Sequence, residues 1–100
     1  MILLAGTVRI AQGKRADALA HLQRMVEASR AEAGCRAYAF AFDVLDDHVI
    51  RIFEAYDDQP ALDFHRASPH FAAWRAAWQK PASRDRDMTR YDVDGAPKPA

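Results

Sequence analysis

The stretch Glu54-Ala-Tyr56-Asp-Asp-Gln-Pro60-Ala-Leu-Asp-Phe-His65-Arg-Ala-Ser68-Pro-His70-Phe71 decides the reading of this chain. It opens at the end of an alternating run, His48 to Tyr56. There Ile50, Ile52, Glu54 and Tyr56 share one face, and Val49, Arg51, Phe53 and Ala55 the other. A period of two is the signature of a strand. Asp57 or Asp58 then offers a helix cap, with Pro60 in the first turn. Ala61, Leu62 and His65 fall on one face of the short helix that follows. Ser68-Pro69 restarts a helix, serine as N-cap and proline as first residue. Phe71, Trp74 and Trp78 recur along it at helical spacing until Pro81 stops it. This reversal gathers a carboxylate, a phenol, two imidazoles and a hydroxyl. Glu54 stands out, because a carboxylate in phase with isoleucines needs a partner or a raised pKa if its face is covered.

Upstream, Ile2 to Ala11 reads as a strand, with Ile2, Leu4, Gly6, Val8 and Ile10 on one face. Gln12-Gly13-Lys14 makes the turn into a helix from Lys14 to about Ala33. Leu19, Leu22, Val26 and Ser29 form its apolar stripe, widened by Ala18 and Met25, and Asp17 suits its positive end. Gly34 is expected as a left-handed stop. Cys35 to Val44 is a second strand, with Tyr38, Phe40, Phe42 and Val44 opposing Cys35, Ala37, Ala39 and Ala41. Leu45-Asp46-Asp47 is the hairpin turn. Downstream, the charges of Ser83 to Asp87 read as an exposed connection, and Met88 to Val93 as the last strand. The order βαββαβ is the ferredoxin-like α+β pattern, a four-stranded antiparallel sheet with its helices on one face. Residues 1–94 form the domain and 95–100 a flexible tail. The uncovered sheet face is too apolar for water, so a homodimer is expected.

Composition narrows the partners. The chain of 100 residues carries fourteen basic and fourteen acidic side chains and a formal net charge of zero. A nucleic-acid binder would show a basic excess, so none is expected as a partner. A single cysteine allows no internal disulfide. No apolar run reaches membrane-spanning length and no basic segment precedes an apolar one at the N-terminus, so a cytoplasmic location is expected.

Each reactive group has a plain reading beside a chemical one. His65 is the candidate base, because imidazole titrates near neutrality and a carboxylate such as Glu54 fixes its tautomer. The plain alternative pairs Glu54 with Arg51 or Arg90 and satisfies His65 locally. Ser68 is a cap, and His70 sits at a rim or in solvent. Tyr38, Phe40, Phe71 and Trp74 are core or the wall of a slot for a flat aromatic. Cys35 reads as a small buried hydrophobe. Metal ligation is not expected, since His65 and His70 lie either side of a helix break with no further Cys/His cluster. No phosphate loop, dinucleotide fingerprint or GxSxG elbow occurs.

Several blocks together resemble the antibiotic biosynthesis monooxygenase (ABM) family of dimeric α/β barrels. They are Gly13-Lys14, Glu32-Ala-Gly34-Cys35 with Tyr38, Phe53-Glu54-Ala-Tyr56, and Ala61-Leu62-Asp-Phe-His65-Arg-Ala-Ser68-Pro-His70-Phe71. The resemblance spans roughly residues 2 to 93. It implies a ferredoxin-like fold dimerised through its sheets, with a pocket between sheet and helices. Some members oxidise quinols or polyphenols with O₂ and neither flavin nor metal. Others degrade haem or isomerise small carbonyl compounds, and some have no known activity. Haem degradation is disfavoured, since that branch has an asparagine in the first strand and this chain contains none. The expectation is a cofactor-independent monooxygenase acting on a small aromatic quinol or polyphenol. In it His65, oriented by Glu54, removes the phenolic proton. Phe40, Phe71 and Trp74 hold the ring, and Tyr38 or Arg51 polarises a carbonyl. An isomerase and a non-catalytic ligand-binding module are the alternatives.

Overall fold

The computed structural model describes residues 1–11, 13–78 and 83–100; the expected turn residue Gln12 and helix stop Pro81 lie outside the described residues. The elements run β1 (Ile2–Ile10), α1 (Arg15–Arg30), β2 (Cys35–Phe42), β3 (Val49–Tyr56), α2 (Gln59–Arg66), α3 (Pro69–Trp78) and β4 (Ser83–Asp92). The strands form one antiparallel sheet in the order β2-β3-β1-β4. This is the expected ferredoxin-like arrangement.

Register follows from the alternation in each strand. Tyr38 pairs with Glu54, which pairs with Leu4; Phe40 pairs with Ile52, which pairs with Gly6. Paired residues point the same way, so Ile2, Leu4, Val8, Tyr38, Ile50, Ile52, Glu54 and Tyr56 are buried together under the helices. The bulky face of β2 therefore meets the helices, and its alanine face is the outer one. On that outer side Phe53, Tyr91 and Val93 remain substantially exposed. Residues 93–97 lie beside Leu3, Ala37, Phe53 and Ala55 at one end of this face.

The caps form as the residue types require. The Asp58 carboxylate accepts from the Ala61 amide at 3.0 Å, opening α2. The Ser68 hydroxyl accepts from the Phe71 amide at 3.2 Å, opening α3. The β2–β3 turn hangs on Asp43, whose carboxylate accepts from the amides of Leu45 and Asp46.

Three expectations need correction. The α1 stripe is Ala18, Leu22, Met25 and Ser29, and Leu19 is 47% exposed. β4 starts at Ser83 rather than Met88, because an edge strand needs no apolar alternation along its length to pair with β1. Gly34 does not adopt a left-handed conformation; among the described glycines only Gly13 and Gly95 have positive φ. The helix has already ended at Arg30, and the glycine is needed for space. A Cβ there would lie 2.4 Å from the Ala61 Cβ, so α2 closes directly onto the loop.

Gly34→Ala is expected to cost about 1–3 kcal/mol through overpacking. Adding Ala61→Gly should recover part of that loss, even though glycine in a helix costs about 1 kcal/mol by itself. Denaturant unfolding of the single and double variants checks both.

Candidate functional site

Three elements supply the buried polar groups. Glu54 and Tyr56 come from the inner face of β3, His65 from the last turn of α2, and Glu32 from the loop after α1. Glu32 continues the buried helical stripe through Met25 and Ser29, which carries its carboxylate inward. The Glu32 Oε2 is 2.9 Å from Nδ1 of His65 and also takes a hydrogen bond from Nε2 of His70. A carboxylate accepts, so His65 donates through Nδ1, and in the neutral imidazole its Nε2 then carries the lone pair. That Nε2 is buried without a hydrogen-bond partner among the described residues, 3.8 Å from Oε1 of Glu54. The Tyr56 hydroxyl donates to the same Glu54 oxygen at 2.6 Å.

Burial of Glu54 raises its carboxyl above the usual range, and the Tyr56 bond, His65 in its protonated form and the charges of Arg86 and Arg66 only partly offset this. The phenols of Tyr38 and Tyr56 are raised by burial first and by Glu54 next, so both remain neutral. Burial, helped by Glu32, pushes the Cys35 thiol up to about 11, consistent with an inert small hydrophobe.

Glu54 opens onto a pocket of about 360 Å³ between sheet and helices. Tyr38, Phe40, Phe71 and Trp74 line it, with Ile52, Val8 and Met88 as floor and Arg66, Arg75 and Arg86 among its walls. Phe40 and Trp74 are stacked with centroids 5.3 Å apart.

The matching family model, Antibiotic biosynthesis monooxygenase, covers residues 1–77 of this chain. The chain belongs to the ABM family. Its relatives include YcnE of Bacillus subtilis, 28% identical over 93% of this chain and 98% of its own length. A Synechocystis protein, sll1783, is 34% identical over 70% of this chain, which spans only 48% of that relative's length. Rv0793 of Mycobacterium tuberculosis is 42% identical over 55% of this chain and 54% of its own. The solved structure of Rv0793 covers 97% of this chain and 100% of its own, at 29% identity and a TM-score of 0.79. A structure from Deinococcus radiodurans shares the fold at a TM-score of 0.86 and 24% identity, covering 100% of this chain and 99% of its own.

Against this ABM frame the expected site residues separate. Glu54, Tyr38, Phe40, Phe71 and Trp74 share the pocket. His65 is 1% exposed and stands behind Glu54, and Glu32 rather than Glu54 holds its Nδ1. Arg51 is not brought to the site. It lies on the outer face, its Nε 2.6 Å from Asp43, because odd positions of β3 point away from Glu54. Arg90 pairs with Asp92, so neither arginine neutralises Glu54.

Glu32, His65 and His70 also form a three-donor set, a convergence the chain spacing conceals. In this arrangement their donor atoms are spent on one another, and a metal ion would have to displace both hydrogen bonds. Glu32 was the missed residue, and its signal was the helical spacing Met25, Ser29, Glu32.

Replacing Glu54 with Gln keeps an acceptor for Tyr56 and removes the charge. Because the carboxyl is raised in the folded state, its ionisation lowers stability as pH rises through its folded pKa. Glu54→Gln should therefore melt higher than the parent at alkaline pH. The difference should vanish at acidic pH, where both side chains are neutral. Calorimetry across pH checks the sign.

Proposed function

We propose that this chain is a cofactor-independent monooxygenase that oxidises a small electron-rich phenol or quinol. The observation carrying the proposal is the buried carboxylate of Glu54 facing an aromatic-walled pocket. In this reaction all electrons that reduce O₂ come from the substrate, with one oxygen atom ending in the product and the other in water. The phenolate gives up an electron far more readily than the phenol, so the protein's first task is to take the phenolic proton. A carboxylate with a raised pKa is a stronger base than an ordinary one, closer to the neutral working range. Glu54 takes the proton at Oε1 or Oε2, and the lone pair on Nε2 of His65 receives it from behind. Glu32 secures the tautomer that leaves this lone pair in place. Tyr38, Phe40, Phe71 and Trp74 hold the ring and keep water out.

The expected role of His65 is thereby divided. Glu54 is the group that meets substrate, and His65 is the buried acceptor that restores it.

Oxygen consumption with a panel of hydroquinones tests this reading. Glu54→Gln should lower kcat/KM about 100-fold or more, the usual scale for loss of a general base. Undiminished uptake in that variant removes Glu54 from the role. Conversion of a carbonyl substrate without oxygen would instead identify an isomerase.

The same proposal includes a homodimer formed through the outer sheet face, where Phe53, Tyr91 and Val93 are exposed beside the alanines of β2. Light scattering should give twice the chain mass. Phe53→Lys should shift the equilibrium towards monomer.

A further inference from the structure

The pocket carries a charge asymmetry that the oxidation chemistry does not use. Arg66 from α2, Arg75 from α3 and Arg86 from β4 line it, against one carboxylate among the described residues, Glu54. The chain as a whole is neutral, so this is a local segregation of charge. Four other exposed arginines are spoken for. Arg9, Arg36, Arg51 and Arg90 pair with Asp46, Asp57, Asp43 and Asp92. Arg66 and Arg86 form no hydrogen bond or ion pair with a described residue. They are near enough to Glu54 for their charges to act on its carboxyl. They do not bond to it, since its short hydrogen bond comes from Tyr56. The Arg75 guanidinium lies 5.8 Å from the centre of the Phe71 ring, which fixes it at the pocket wall.

A guanidinium offers a planar fork of donors suited to a carboxylate or a comparable oxyanion. Placed beside a low-dielectric aromatic slot, several such groups focus field lines on an incoming anion. We propose that the substrate is an aromatic acid: its ring lies against Trp74 and Phe40, and its carboxylate, or an equivalent oxyanion, is held by Arg66 and Arg86. This rests on reading the pocket as the substrate site, and it names the substrate class. The anchored acid fixes which end of the ring faces Glu54. The guanidiniums also favour the phenolate formed when Glu54 takes its proton.

Gentisate and its methyl ester test the inference, being hydroquinones that differ only in the anionic group. By calorimetric titration near neutral pH and low ionic strength, the acid should bind about tenfold tighter than the ester, about 1.4 kcal/mol. Added salt should erode that preference. The double variant Arg66→Gln/Arg86→Gln should bring acid and ester to within about twofold of each other, whereas Arg66→Lys/Arg86→Lys should keep most of the difference. Melting curves verify that each variant is folded. Equal affinity for acid and ester in the parent, or an unchanged preference in the glutamine variant, overturns the anion site. Oxygen uptake with the ester in that case would leave the monooxygenase reading standing. Arginine-dependent preference for the acid with no oxygen uptake would support the anion site while removing the monooxygenase reading.

Discussion

The bond between the Glu32 carboxylate and Nδ1 of His65 is the constraint on which the site depends. It joins the end of α1 to the end of α2, and through His70 it reaches the first turn of α3. All three residues would be costly to bury alone, and together they satisfy most of one another's needs. The bond also decides which nitrogen of His65 keeps its lone pair. That nitrogen faces Glu54 at 3.8 Å, so one contact behind the pocket fixes what its carboxylate meets from within. Oε1 of Glu32 and Nε2 of His65 have no hydrogen-bond partner among the described residues. Such unmet groups persist where the surrounding packing holds them, and active sites are where that is most often found.

The sheet provides the second half of the arrangement. Its inner face presents Tyr38 and Glu54 directly opposite each other on β2 and β3. Tyr56, two residues along, reaches back to the same carboxylate. A period of two therefore builds the carboxylate, its hydrogen-bond donor and a wall of the pocket without any loop. Gly6 has a matching role one strand further, where a Cβ would run into the backbone of Asp87 and Met88. Its absence lets β4 bring Met88 and Arg86 to the pocket.

Most of the fold was legible because it rests on local rules. Period-two and helical spacings placed every element, and Asp58 and Ser68 capped α2 and α3 as their types require. What escaped was nonlocal or silent. The start of β4 has no apolar alternation to read, since an edge strand facing water needs none. Gly34 looked like a turn residue, while its true constraint is Ala61, distant in sequence. The pairing of Glu54 with His65 is one of two readings the residues allow, and neither names the partner that orients His65, because a glutamate beyond a helix end looks solvated until the stripe is extended through it. Arg51 is a different lesson: its place opposite Glu54 in the alternation already put it on the far side of the sheet.

The position of β1 at the centre of the sheet has a consequence for how the protein is made. Its two neighbours are β3 and β4, so the first strand synthesised waits for the last before the sheet is complete. Such pairings between distant segments close slowly and late. Until β4 docks, one edge of β1 is an open strand on the nascent chain, and the pocket lacks Arg86 and Met88. The pocket is thus the last feature to be completed, and a chain truncated before β4 would leave an aggregation-prone edge.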